Sequence, residues 1–186
     1  MRIVAPAAAG VWTLVLSLLA FREGPLPYMT GGFGDASCHS CHLDNPVNAP
    51  GGTLKVEGIP DRCQPGQRYA ISVVLSRDNL KRGGFEIAAR FRSGRTRGRQ
   101  AGTWRPLDDR VKLQPSKDGR LQFAQHTTAG TLTHVPGTVR WAVEWTAPPL
   151  PGDVQFNTAA NASNNDNSPL GDFIYLNETT CTAAVR

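Results

Sequence analysis

Five consecutive residues, Cys38-His39-Ser40-Cys41-His42, hold two of the chain's four cysteines and two of its four histidines. Such a set serves four chemistries: covalent haem attachment, a metal clip, a thiol–disulfide redox pair, or a local disulfide. The spacing Cys-x-x-Cys-His is that of c-type haem attachment. Two thiols so spaced add across the vinyl groups of a porphyrin, and the histidine after the second is placed to ligate the iron. Cys38 and Cys41 would attach the haem and His42 would be the proximal ligand. Tetrahedral zinc asks for four ligands, and Cys38, Cys41 and either His39 or His42 give at most three locally. A thioredoxin-like pair opens a helix in a βαβ unit, and no such pattern surrounds the segment. A Cys38–Cys41 disulfide would close a very tight loop. Haem is the favoured reading, with His39 a solvated bystander.

A haem iron held by His42 has a second axial position. His126 is the first candidate for it, Met29 the second, and an open site the third arrangement. His126, in "LQFAQHTTAG", falls on the strand face opposite Leu121 and Phe123. It reaches the iron only if the segment ahead of the strands folds over that face. Met29 precedes Cys38 by nine residues, with Gly31, Gly32 and Gly34 between to let the chain return. His134, in a turn before Pro136, reads as exposed.

The surroundings must suit such a cofactor. After Met1-Arg2 comes an uncharged apolar run, Ile3 to Phe21, with the charged start and apolar centre of a secretory signal. It is also long enough to span a membrane. Residues 1–21 are therefore a cleaved signal peptide or a retained anchor, expected as an apolar helix. Both place the rest outside the cytoplasm, where cysteines oxidise. Residues 22–50 show no periodicity and form a coil-rich lead-in carrying the haem motif.

From residue 51 the hydrophobic period is two, the period of strands. Tyr69, Ile71, Val73 and Leu75 share one face. Phe85, Ile87, Ala89 and Phe91 share another, with Glu86 and Arg90 pointing away. Val139, Trp141, Val143 and Trp145 point inward between Arg140 and Glu144. Weaker strands are expected around Leu54–Val56, from Arg110, around Phe123, around Phe156, and in "GDFIYLN" ending near Asn177. With 19 glycines and 14 prolines to make turns, seven or eight short strands predict an all-β, immunoglobulin-like antiparallel β-sandwich over 51–186. Cys63 follows the first strand and Cys181 the last. In such a sandwich those strands run side by side, so a Cys63–Cys181 disulfide is expected.

Charge is mildly basic, with 20 lysines and arginines against 15 aspartates and glutamates. That favours anionic partners but is no nucleic-acid footprint. Arg90, Arg92, Arg95, Arg97 and Arg99 cluster in "RFRSGRTRGRQ". They read as a solvated loop, or as a patch for an acidic partner, a haem propionate or lipid headgroups. The stretch "NASNNDNSPLGDF" offers Asn161, Asn164, Asn165, Asp166, Asn167 and Asp172 as oxygen donors for calcium. It lacks EF-hand spacing, and an Asn/Asp-rich turn is the default for it.

The stretches "GGFGDASCHSCHLDNPVN", "GGFEIAARF", "AGTWRPLDDRV", "QHTTAGT", "VRWAVEWTAP" and "AANASNNDNSPLGDFIY" together resemble bacterial reelin-N-terminal-like (reeler) domain proteins. The resemblance runs from about Gly31 to Tyr175, and its most specific parts are "GGF" at Phe85 and "SPLGDFIY". It implies an immunoglobulin-like sandwich preceded by a CxxCH segment, exported and often attached to a surface or membrane. It supplies no catalytic activity and does not include Cys63 and Cys181.

The sequence thus predicts an exported mono-haem, c-type cytochrome-like protein in the periplasm or on the outer face of a membrane. Its covalent haem c would transfer electrons, with a redox protein or a membrane electron-transfer complex as partner. The alternative is a non-redox binding or adhesion module whose cysteines are structural. No nucleophile–base constellation or phosphate-binding glycine loop marks an enzyme, and chemistry at an open haem site is the third reading.

Overall fold

The computed structural model describes residues 22–183. The apolar run Ile3–Phe21 lies outside them, and among the described residues no helix is long and apolar enough to cross a membrane. The strands are β1 (Gly52–Glu57), β2 (Arg62–Cys63), β3 (Arg68–Arg77), β4 (Arg82–Phe91), β5 (Thr103–Pro106), β6 (Val111–Pro115), β7 (Gln122–His126), β8 (Thr138–Thr146), β9 (Val154–Ser163) and β10 (Phe173–Ala183). They form two sheets, β1-β3-β8-β5 and β2-β10-β9-β4-β7-β6. The result is an immunoglobulin-like β-sandwich, antiparallel except where β2 runs parallel to the end of β10.

The period-two pattern does what the alternation of side chains on a pleated strand requires. Ile71, Val73 and Leu75 of β3 meet Val139, Trp141, Val143 and Trp145 of β8 on the inner face of the smaller sheet. Phe85, Ile87 and Ala89 of β4 and Phe156 and Ala160 of β9 face them from the larger. Phe85 stacks on Trp141 at 4.5 Å between ring centroids, and Phe156 meets Trp145 edge-on at 4.7 Å. Both buried indoles find acceptors, Trp141 Nε1 on Gly130 O at 2.8 Å and Trp145 Nε1 on Ala101 O at 2.9 Å.

Three differences from the sequence expectation have local causes. Two extra strands, β2 and β5, are two and four residues long. Strands so short lack room for an alternation to show. β10 does not stop near Asn177 but continues through Cys181 to Ala183, because β9 gives it a partner as far as Val154. Phe123 does not face the other sheet. Its ring lies 5.1 Å from that of Tyr28 in the lead-in, and its neighbour Ala124 takes the inner position.

The lead-in drapes over the outer face of the larger sheet, crossing β7, β4, β9 and β10 in turn. Glycines allow the approach: a Cβ on Gly24 would sit 2.8 Å from Gln125 Cδ, and one on Gly32 would sit 2.0 Å from Asn157 Cγ. Met29 N donates to Glu86 Oε1 at 2.7 Å. Arg90 grips Asp35 with both terminal nitrogens, the Nη1–Oδ1 bond measuring 3.1 Å. Beyond His42, Asn48 N donates to Ile174 O at 2.9 Å and Leu176 N to Asn48 Oδ1 at 2.8 Å, so the lead-in caps the edge of β10 that β2 leaves bare. Glu86 and Arg90 do point away from the inter-sheet core as their register predicts. They are nevertheless buried, 0 % and 4 % exposed, because the lead-in covers them.

Cys63 and Cys181 are joined, with Cα atoms 5.8 Å apart and a sequence separation of 118. Closing so long a loop restricts the unfolded chain by about 4–5 kcal/mol in the chain-entropy account. Replacing both cysteines by alanine should lower the unfolding free energy by roughly that amount, read as an earlier midpoint in guanidinium unfolding. A loss below about 1 kcal/mol would show that the bond adds nothing to this sandwich.

Candidate functional site

The Cys38-His39-Ser40-Cys41-His42 segment is held by short-range backbone chemistry. The lead-in folds back on itself between Thr30 and Ser37, with Gly31 N donating to Ala36 O at 2.8 Å. Phe33 and Gly34 take positive φ at this bend, 55° and 86°. A single 3₁₀ turn over Cys38–Ser40 follows, capped by Ser37 Oγ, which accepts from His39 N at 3.2 Å. Cys41 N and His42 N both donate to Cys38 O, at 3.2 and 3.1 Å. This turn places Cys38, Cys41 and His42 along one wall of a single cavity of about 350 Å³. The cavity size is in the range of small-molecule and cofactor sites.

The opposite wall is the outer face of the sheet, where Gly84, Phe85, His126 and Asn161 line the same space. Met29 joins from the lead-in. The structure therefore brings together all five residues singled out for haem: Cys38, Cys41, His42, His126 and Met29. Cys38 and Cys41 are not bonded to each other. His39, expected in solvent, is half-buried, and its Nδ1 is enclosed without a hydrogen-bond partner. His134 is exposed and takes no part.

His126 shares the inward register of Ala124, but at the end of β7 its ring instead reaches the cavity beside Gly84, where it is 7 % exposed. At His126 the strand β7 leaves β4, and the imidazole takes over the lost ladder bond: Phe85 N donates to His126 Nδ1 at 3.0 Å. The same nitrogen lies 3.2 Å from Phe85 O, so Phe85 offers a partner to either tautomer. Gly84 makes the ring's position possible, since a Cβ there would lie 2.8 Å from His126 Cε1.

His42 has a different kind of partner. Its Nδ1 lies 2.9 Å from Asp172 Oδ2, with Asp172 1 % exposed. Asn161 Nδ2 donates to the same oxygen at 3.0 Å, and Asn164 N to Oδ1 at 3.2 Å. Burial alone would raise the Asp172 carboxyl. The hydrogen bonds of His42 and Asn161, the charge of His42 and the Asn164 N–H outweigh it and hold the group below its ordinary value. Asp172 was weighed in the sequence as a calcium donor, and here it is committed to the histidine. The neighbouring donors close their own loop: Asn164 Oδ1 accepts from Asp166 N, Asp166 Oδ1 from Ser168 N, and Asn165 and Asn167 take positive φ. Among the described residues no group of three or more histidine, cysteine or acidic side chains is arranged to hold a metal ion by itself.

The arginines divide differently from the sequence expectation. Arg90 is no loop residue but the buried partner of Asp35. Arg92, Arg95, Arg97 and Arg99 are exposed and none lines the cavity. The two that do are Arg22 and Arg82, which sequence reading missed because they stand alone in the chain. Arg82 reaches Thr131 Oγ1 at 2.7 Å and Asn165 Oδ1 at 2.6 Å, and Arg22 bonds to Asn167.

No family model matches the chain, and no curated protein does. Solved structures similar to it include the Reelin-N domain of F-spondin, at 19% identity over 80% of this chain and 96% of that one, with a TM-score of 0.48. The human F-spondin reeler domain (fragment 1) is 22% identical over 75% and 92%, with a TM-score of 0.46. A cohesin module of a Clostridium perfringens family 33 glycoside hydrolase is 11% identical over 71% and 94%, with a TM-score of 0.41. At these values the likeness bears on neither chemistry nor partners.

The half-buried thiol of Cys38 lies near the fully buried carboxyl of Glu86. Burial pushes the Cys38 thiol up to about 12, with the Glu86 charge adding to it, and the thiol stays protonated. Burial raises Glu86 to about 8; the Asp35 charge adds to the rise, while the Met29 and Tyr28 N–H groups and Arg90 oppose it. Glu86 is thus neutral at neutral pH in the folded protein and ionised in the unfolded chain, where its value is near 4.5. Its contribution to stability is fully present below the unfolded value and is lost as pH rises through about 8. Wild-type stability should fall between those limits by on the order of a few kcal/mol. Glu86→Gln, which keeps the acceptor and removes the proton equilibrium, should flatten that slope in urea melts across the range. An unchanged slope would place the buried charge elsewhere.

Proposed function

We propose that this chain is an exported mono-haem, c-type cytochrome-like protein that transfers electrons outside the cytoplasm. One observation carries the reading: a single cavity has both thiols and the histidine of the Cys38-x-x-Cys41-His42 motif on one wall, with His126 and Met29 also lining it. The residues present fit the group. The two thiols are unpaired, the Nδ1 of His42 is engaged and leaves Nε2 as the donor atom, and the sheet beneath is kept clear by Gly84. A bound haem supplies one-electron exchange between ferrous and ferric iron.

The chain's own residues do the rest. Cys38 and Cys41 would fix the haem through thioether bonds, and His42 would ligate the iron, with His126 ahead of Met29 as the other ligand. Both His126 tautomers keep a partner on Phe85, so ligation through Nε2 leaves Nδ1 satisfied. Arg22 and Arg82, which line the cavity as the loop arginines do not, would be the partners of propionates. The exposed Arg92, Arg95, Arg97 and Arg99 would steer an acidic redox partner by long-range attraction that weakens with salt. A Cys63–Cys181 bond suits an oxidising compartment, which supports a place in the periplasm or on the outer face of a membrane, beside a membrane redox complex.

The test is expression of the full chain in a host with haem-attachment machinery. The expected product has a Soret band and a mass increased by one haem that survives denaturation, both lost in Cys38→Ala/Cys41→Ala. A folded protein without either would overturn the reading and leave a non-redox binding module. In the loaded protein, His126→Ala should convert a low-spin spectrum to high-spin or to one with a different axial ligand. An unchanged spectrum removes His126 as a ligand.

A further inference from the structure

We infer that Asp172 is a positioning residue for His42, which it makes an electron-rich ligand that holds the iron's reduction potential low. The inference rests on the haem reading above and deepens it. The carboxylate is almost fully enclosed and its Oδ2 lies 2.9 Å from His42 Nδ1. It is aimed by others: Asn161 Nδ2 donates to Oδ2, Asn164 N donates to Oδ1, and Asn45 Nδ2 donates to the Asp172 carbonyl at 2.9 Å. These bonds leave the carboxylate little freedom to turn away from the imidazole.

Two consequences follow from elementary electrostatics. An acceptor at Nδ1 fixes the proton there, so Nε2 carries the lone pair. Asn161 Nδ2 lies 3.3 Å from Nε2 and 3.5 Å from Nδ1, between the two ring nitrogens, so the tautomer is set by the carboxylate alone. A histidine that donates to a carboxylate is also a more basic ligand than one donating to a neutral carbonyl, because the anion draws the Nδ1 proton and pushes density into the ring. Oxidation adds one positive charge at the metal, so a buried anion one imidazole away favours the ferric state. The arginines lining the cavity do not cancel this anion by contact: Arg82 is bonded to Thr131 and Asn165, and Arg22 to Asn167. A mere loop cap would need only the Asn164 contact. The His42 and Asn161 bonds are what that role leaves unexplained.

The experiment is redox titration of the haem-loaded, full-length wild type and its Asp172→Asn variant, with Asp166→Asn as the control. Asp166 lies in the same loop, is exposed, and does not touch His42. The midpoint potential of Asp172→Asn should shift positive, while Asp166→Asn should leave it within error of the wild type. Equal shifts in the two variants, or none in Asp172→Asn, would overturn the inference with the haem reading intact. Failure of the wild type to attach haem overturns both. Should Asp172→Asn not fold, nitrogen NMR of wild-type protein made without haem reads the His42 tautomer. A proton on Nδ1 supports the assignment and a proton on Nε2 overturns it.

Discussion

The candidate site depends on a buried ion pair. Arg90 projects from the outer face of β4 and meets Asp35 of the lead-in, with both side chains about nine-tenths or more out of water. Breaking a buried pair from one side costs roughly 3–5 kcal/mol because the other charge is stranded. That makes the dock specific as well as firm. The Arg90 guanidinium also sits within 6 Å of the rings of Tyr28, Phe33 and Phe123, so a cation, two lead-in aromatics and a sheet aromatic form one layer. Hydrogen bonds at Met29, Asn45 and Asn48 add to this dock, but among them only Arg90–Asp35 joins two buried charges.

Once the lead-in is fixed at Asp35, the position of the motif follows from chain length. The turn at Phe33–Gly34 and the 3₁₀ turn at Cys38–Ser40 deliver the two thiols and His42 only a few residues later. The sheet meets them at a residue without a side chain. On the outer face of β4, Gly84 lines the cavity, and a side chain there would meet the His126 ring. The loop between β9 and β10 closes the far side through its Asx turns and hands Asp172 to His42. Sandwich, lead-in and loop each contribute a wall, and none encloses the cavity alone.

The sandwich was readable from sequence because its signal is local and repeated. Four alternating apolar residues in each of β3, β4 and β8 leave one solution for which face is buried. The Cys38–His42 cluster was readable because its five residues are contiguous. What escaped was two-sided burial. Glu86 and Arg90 look like ordinary solvent-facing residues on a half-buried strand, and nothing in their spacing tells of a coil segment lying over them. Pattern reading also put Phe123 on the wrong face, since a strand covered on both sides has apolar residues on both. Arg22 and Arg82, like the pairing of His42 with Asp172, join residues far apart in the chain, and Asp172 is visible in sequence only as one acid in a polar turn.

The same covering explains how a sheet can hold a site that a bare sheet face cannot. One face of a sandwich sheet is spent on the core, and the other is a ridged surface with no depth. Here depth is made by laying coil over that outer face and omitting side chains beneath it, and the result remains shallow: Cys41 is exposed and the His42 side chain keeps a quarter of its surface in water. A flat cofactor lodged there would have too little apolar contact to be retained by burial alone. Two thiols on the cavity wall resolve that difficulty, because a covalent bond holds regardless of how much of the ligand is buried. Under the proposed reading, a Cys-x-x-Cys-His segment ahead of the sandwich would hold its cofactor at a surface, where the scaffold offers no interior.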